Sequence, residues 1–195
     1  MNTETVPIQI YTESTPNPET LKFVVNKMLL PNDSVDYQDE SNATGSPLAI
    51  ELFGFPFVKG VFIMNNFVTI TKQPDMEWEE VIPQLKEYIK QFAESGKEAV
   101  VEKSARTSTS SNGENADDGE IVVKIKQLLE TYVKPAVEMD GGAIQYKSFD
   151  NGVLTLILQG SCSGCPSSMI TLKAGIEGMM KRMIPEVEEV VAEAT

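Results

Sequence analysis

The rhythm of apolar and polar positions changes several times along the chain. Ile8, Ile10 and Thr12 alternate with their neighbours, the two-residue period of a half-buried strand. A turn-forming run, Ser14-Thr15-Pro16-Asn17-Pro18, separates this segment from a second predicted strand over residues 21–25. Residues 47–53 read as a short helix closed by Gly54 and Pro56. Two β-rich runs, 58–64 and 67–72, flank Asn65-Asn66, a hairpin signal. The period then lengthens. Trp78, Val81, Ile82, Leu85, Ile89 and Phe92 recur at helical spacing and predict a helix capped by Asp75 and running to about Ser95, with Gly96 as its stop.

A second series starts at residue 120. Ile121, Ile125, Leu128, Leu129, Tyr132 and Val133 share one face of a predicted helix over 120–139, which Asp140-Gly141-Gly142 terminates. Pro135 lies inside it, where a missing N–H and a clash with the preceding turn predict a kink. Strands over 143–149 and 153–159 are joined by Asp150-Asn151-Gly152, and a loop over 160–164 leads to a helix over 166–184. Pro166 suits the first helical position, and Pro185 stops the helix. Residues 186–192 read as a last strand with Glu186, Glu188 and Glu189 on a polar edge face. Met169, Met179, Met180 and Met183 are expected to pack in a core or a dimer interface.

Between the two series, residues 99–119 are mostly Ser, Thr, Asn, Asp and Gly after the first three positions, with almost nothing apolar. Such a stretch buries too little surface to offset its ordering entropy, which predicts a flexible linker. The expected fold class is therefore α+β. Two small α+β domains, residues 1–98 and 120–195, are joined by the linker, and the second has the order α-β-β-α-β.

Charge narrows the function. The net charge is −13, of which residues 1–98 carry −8 and residues 120–195 carry −3. That balance argues against sequence-independent nucleic-acid binding and against docking on anionic lipid, both of which use Lys and Arg. No apolar run approaches the ~18 residues that a membrane-spanning helix needs. The first ten residues have neither a basic segment followed by an apolar one nor an Arg, so neither a signal peptide nor a transit peptide is expected. This points to a bacterial cytoplasm, or to the mitochondrial matrix if the sequence is a mature form.

The chemistry is restricted by an absence. The 195 residues include no histidine and only two cysteines, Cys162 and Cys165. Ser-His-Asp and Cys-His catalysis and His-ligated metals are excluded, and a disulfide-stapled scaffold would need more cysteines. The N-terminal part has no evident catalytic chemistry, and no enzyme activity is expected. The Cys-x-x-Cys lies between a strand and a helix N-terminus. There, free N–H groups and the helix dipole are expected to lower thiol pKa values. Gly160 and Gly164 would let the backbone approach and form a nest for an anionic metal–sulfur group. Four uses of the pair compete. A thiol–disulfide couple fits the motif but not the domain order, because no β-α-β unit leads into it. Structural zinc needs four ligands, and one chain has no second pair, which leaves a zinc bridging two chains. A ligand-free pair is a poor use of two cysteines in a Gly/Ser loop. An iron–sulfur cluster needs four thiolates, which two chains about a two-fold axis would supply.

Two sets of residues then resemble a known family. Met139-Asp140-Gly141-Gly142, a hairpin, Gly160-Ser-Cys-Ser-Gly-Cys-Pro-Ser-Ser168 and Thr171-Leu172-Lys173 resemble the NifU-like C-terminal domain. Thr15-Pro16-Asn17-Pro18, Leu21-Lys22-Phe23, Val58-Lys59-Gly60-Val61-Phe62 and Phe67-Val68-Thr69-Ile70-Thr71-Lys72 resemble the Nfu N-terminal domain. The resemblance implies an Nfu-type carrier with Cys162 and Cys165 as ligands of a [4Fe-4S] cluster bridging a homodimer. It also implies an upstream cluster scaffold as donor, apo iron–sulfur proteins as clients, and an N-terminal domain that aids partner recognition. Position 166 is Pro where that family often has Ser or Ala. A thiol–disulfide oxidoreductase using the same two cysteines is the alternative.

Overall fold

In the computed structural model the described residues are 7–101, 119–163 and 166–194, with residues 166–168 described by backbone alone. Most of the predicted linker, Gly164 and Cys165 lie outside them. The described residues form two compact units.

The N-terminal unit holds β1 (Ile10–Ser14), β2 (Thr20–Val25), β3 (Leu30–Tyr37), α1 (Pro47–Phe53), β4 (Val58–Asn65), β5 (Phe67–Lys72) and α2 (Trp78–Ser95). The strands form one sheet in the order β1-β2-β5-β4-β3. Alternate residues of the central strands, Phe23, Val25, Val61, Ile63, Val68 and Ile70, pack with Leu48 and Leu52 of α1 and Val81, Leu85 and Ile89 of α2. This is the strand period meeting the helix period across one core. The Asn65-Asn66 hairpin forms as expected, with Asn65 at φ 46°. Helix α2 starts at Trp78 behind Glu77, which makes no side-chain cap bond, so Asp75 is not its cap. Gly96, at φ 73°, ends it in the left-handed conformation that favours glycine.

Strand β3 is absent from the sequence reading. Its Leu30-Pro31-Asn32-Asp33 start looks like a turn, and Asn32 is at φ 56°. An edge position and a register shift between Leu30 and Ser34 accommodate it. Helix α1 is fixed by Ser46, whose buried hydroxyl accepts from Ala49 N at 3.1 Å and donates to Ala99 O at 2.6 Å. Ser46→Ala removes the cap and leaves buried groups without these bonds. It should cost about 1–3 kcal/mol, read as a lower urea midpoint at unchanged slope.

The C-terminal unit has the predicted order: α3 (Glu120–Leu128) continues through a π-turn over Leu129–Val133 into α4 (Lys134–Met139), then β6 (Gly142–Asp150), β7 (Val153–Gly160), α5 (Pro166–Met183) and β8 (Glu189–Ala194). Strands β6 and β7 are antiparallel, and β8 runs parallel to β7 at the edge. Just before Pro135, where a kink was expected, the helix widens into the π-turn. The wider turn has a packing consequence. Ile125, Leu129, Val133 and Val137 are all buried and lie four residues apart. In a regular α-helix each such step overshoots a full turn by about 40°, and a π-turn absorbs the excess. Tyr132, placed by the sequence on the apolar face, is 60% exposed as a result. Leu154, Leu156 and Leu158 of β7 face this helix core together with Ile176 and Met180 of α5. Of the other methionines, Met169 and Met179 pack partly against the core, and Met183 is exposed.

Candidate functional site

The β6–β7 hairpin decides where the first cysteine goes. Its register pairs Gly142 with Gly160, so the turn that ends α4 is brought beside the loop that leaves β7. Gly141 and Gly160 adopt φ values of 80° and 67°, which favour glycine. At Gly160 the chain folds sharply: Ser163 N and Ser163 Oγ both donate to its carbonyl, at 3.1 and 2.8 Å. Ser161 ties the two segments together. Its N–H donates to Gly141 O at 3.3 Å and its hydroxyl to Asp140 O at 2.5 Å.

Cys162 follows as a free thiol, 6% exposed, and belongs to the C-terminal core. Its sulfur packs against the backbone of Gly142: a Cβ built there would lie 3.0 Å from Cys162 Sγ and 2.6 Å from Gln159 O. Met139–Gly142 was expected to be a helix cap and turn. It is that, and it is also the wall behind Cys162. Sequence reasoning missed the contact, although the paired glycines between a helix and a strand marked a close approach. Cys165, the second predicted ligand, and Gly164 lie outside the described residues, and α5 begins at Pro166 as expected.

The expectation of a lowered thiol pKa at Cys162 is overturned. Burial pushes this thiol up; the Ser161 hydroxyl acts the other way, and the Asp140 carboxylate adds to the rise. The sequence suggested a solvent-facing loop, whereas the Gly142 contact draws the side chain into the core. Two effects follow, with the sign fixed by the raised value. The stability contributed by the buried thiol is fully present below the ordinary thiol pKa and is lost as pH rises through the higher native one. Alkylation of Cys162 by iodoacetamide at neutral pH should be slower in the native protein than in urea, with its midpoint shifted to higher pH. Peptide mass mapping of the labelled residue checks this; equal rates in both states would contradict the burial.

Among the described residues, no three His, Cys, Asp or Glu side chains come together as a metal site. Nor is any described helix long and apolar enough to cross a membrane. The donor chemistry within one described chain is thus a single buried thiol, with a second cysteine three residues on in the sequence.

Comparison with known proteins gives two tandem matches. Residues 10–96 match the family model "Scaffold protein Nfu/NifU N terminal", and residues 125–191 match "NifU-like domain". The chain is 43% identical over 182 residues to the human protein named NFU1 iron-sulfur cluster scaffold homolog, mitochondrial, covering 93% of this chain and 70% of that one. It is 40% identical over 186 residues to NifU-like protein 4, mitochondrial, of Arabidopsis thaliana, covering 94% of this chain and 65% of that one. The chain therefore spans about two thirds of the length of these relatives. A NifU-like protein from Saccharomyces cerevisiae, solved by NMR in solution, aligns with 27% identity and a TM-score of 0.47, over 53% of this chain and 92% of that one.

Proposed function

The chain belongs to the Nfu family of NifU-like scaffold proteins, and from that premise we propose that it carries a [4Fe-4S] cluster as cargo and hands it to client proteins. The thiolates of Cys162 and Cys165 from two copies hold the cluster. The observation that carries this reading is the donor set. A cluster of this kind takes four thiolates, and the whole sequence offers two cysteines and no histidine. One chain supplies half a site, so the cluster sits at a two-fold interface. The names of the relatives, iron–sulfur cluster scaffold and NifU-like, support the same role.

Transfer is ligand exchange, with no bond change catalysed in a substrate. A client thiolate displaces one carrier thiolate, and the cluster leaves as client contacts replace the partner copy. With domains over 1–98 and 120–195, the N-terminal domain holds the client near the cluster and raises its effective concentration. An upstream scaffold loads the carrier. The relatives' names favour a mitochondrial site of action.

The domain order weighs against the oxidoreductase alternative, because no β-α-β unit leads into the Cys-x-x-Cys. The test is anaerobic reconstitution with iron and sulfide, followed by metal and sulfide analysis and native mass. About four irons and four sulfides per pair of chains, in a brown dimer, are expected. A colourless monomer that cycles a disulfide, or a protein holding only zinc, would sink the reading.

A further inference from the structure

Ser161 stands beside Cys162 and is 1% exposed. Its hydroxyl has one hydrogen and two lone pairs. The hydrogen goes to the Asp140 carbonyl at 2.5 Å, and the oxygen lies 3.7 Å from Cys162 Sγ. Its backbone N–H goes to Gly141 O at 3.3 Å. Both donors of Ser161 therefore reach the turn over residues 140–142, against which the sulfur of Cys162 packs. Ser163, on the other side of Cys162, differs. Its N–H and hydroxyl both return to Gly160 O, inside the loop itself. Of these two serines, only Ser161 links the cysteine loop to the wall behind the sulfur.

We propose that Ser161 is a positioning residue for the Cys162 ligand: it clamps the loop to the Asp140–Gly142 turn, sets the direction of the sulfur, and so governs how long the cluster stays on the carrier. The proposal rests on the carrier reading above. The physical ground is general. A ligand whose own loop is fastened by hydrogen bonds meets the metal already oriented, and loss of such an outer support typically lowers metal affinity ~10–100-fold. Retention time is the property a carrier must tune, because a cluster held too tightly cannot be delivered.

The experiment compares the full-length wild-type chain with Ser161→Ala, Ser161→Thr and Ser163→Ala. Each is reconstituted with iron and sulfide, and cluster loss to a chelator is followed by absorbance. Visible circular dichroism of the loaded protein and thermal melting of the apo-protein are recorded alongside. Ser161→Ala should load fully but lose its cluster ~10–100-fold faster, with an altered visible dichroism. Ser161→Thr, which keeps the hydroxyl, and Ser163→Ala should behave as wild type in both readouts. A wild-type loss rate in Ser161→Ala overturns the proposal. So does equal acceleration by Ser163→Ala, or a Ser161→Thr protein that loses its cluster as fast as the Ala variant is expected to. Should the Ala variant fold poorly, Ser161→Gly takes its place, with the same outcomes expected. A wild-type protein that takes up no iron defeats the carrier reading instead, which separates the two failures.

Discussion

Cys162→Ser is expected to take bound iron after anaerobic reconstitution from roughly four per pair of chains to background, with the fold retained. The argument is one of supply. Two copies bring four cysteines, and there is no histidine to substitute for a missing one. A serine hydroxyl stays protonated at neutral pH and is a poor exchange for thiolate, the soft ligand that iron–sulfur clusters select. The replacement is close in size. Its oxygen takes the place of a buried sulfur that belongs to the C-terminal core, and burying the more polar atom costs about 1–3 kcal/mol. The domain should therefore still unfold cooperatively, at a lower midpoint. Iron analysis with circular dichroism separates loss of a ligand from loss of the fold. A stoichiometric cluster on well-folded Cys162→Ser protein would mean that the ligands lie elsewhere.

The next largest effect is expected from one methyl group. In Gly142→Ala the new Cβ would fall 2.6 Å from the carbonyl oxygen of Gln159, closer than real contacts allow, and 3.0 Å from Cys162 Sγ. The obstacle is backbone, part of the β6–β7 ladder in which Ala143 pairs with Gln159 and Gly142 with Gly160. It cannot swing aside as a side chain would. The strands must separate or the sulfur must move, and overpacking of this kind costs about 1–3 kcal/mol. Against a typical total of 5–15 kcal/mol, that is a large share. A lower urea midpoint and faster cluster loss are expected together, because one atom crowds both the hairpin and the ligand. Gly178→Ala is the contrast. A Cβ there meets nothing within 4 Å, and in mid-helix the change should stabilise by about 0.5–1 kcal/mol. If Gly142→Ala is as stable as wild type, the strand spacing at the hairpin's open end is wider than described.

Much of this protein was legible before any fold was seen, because its signals are local. Period-two and period-3.6 spacing, with proline and glycine as punctuation, placed α1, β4, β5, α2 and all five segments of the C-terminal α-β-β-α-β unit within a few residues. The same locality explains the misses. β3 begins with Pro31-Asn32-Asp33, which by themselves favour a turn, and only an edge pairing with β4 makes them strand. Asp75 has the chemistry of a cap, yet the chain enters α2 three residues later.

The site divides along the same line. The absence of histidine, the Cys-x-x-Cys and its place before a helix were matters of sequence, and they restricted the chemistry to thiolate ligation or thiol exchange. That Gly142 lies against Cys162, that Ser161 fastens one segment to the other, and that the thiol is buried and its pKa raised were decided by tertiary structure. These contacts join residues about twenty positions apart, and they depend on the hairpin register and on how closely two backbones approach. No local pattern of polarity encodes either distance, so only the folded chain could set them.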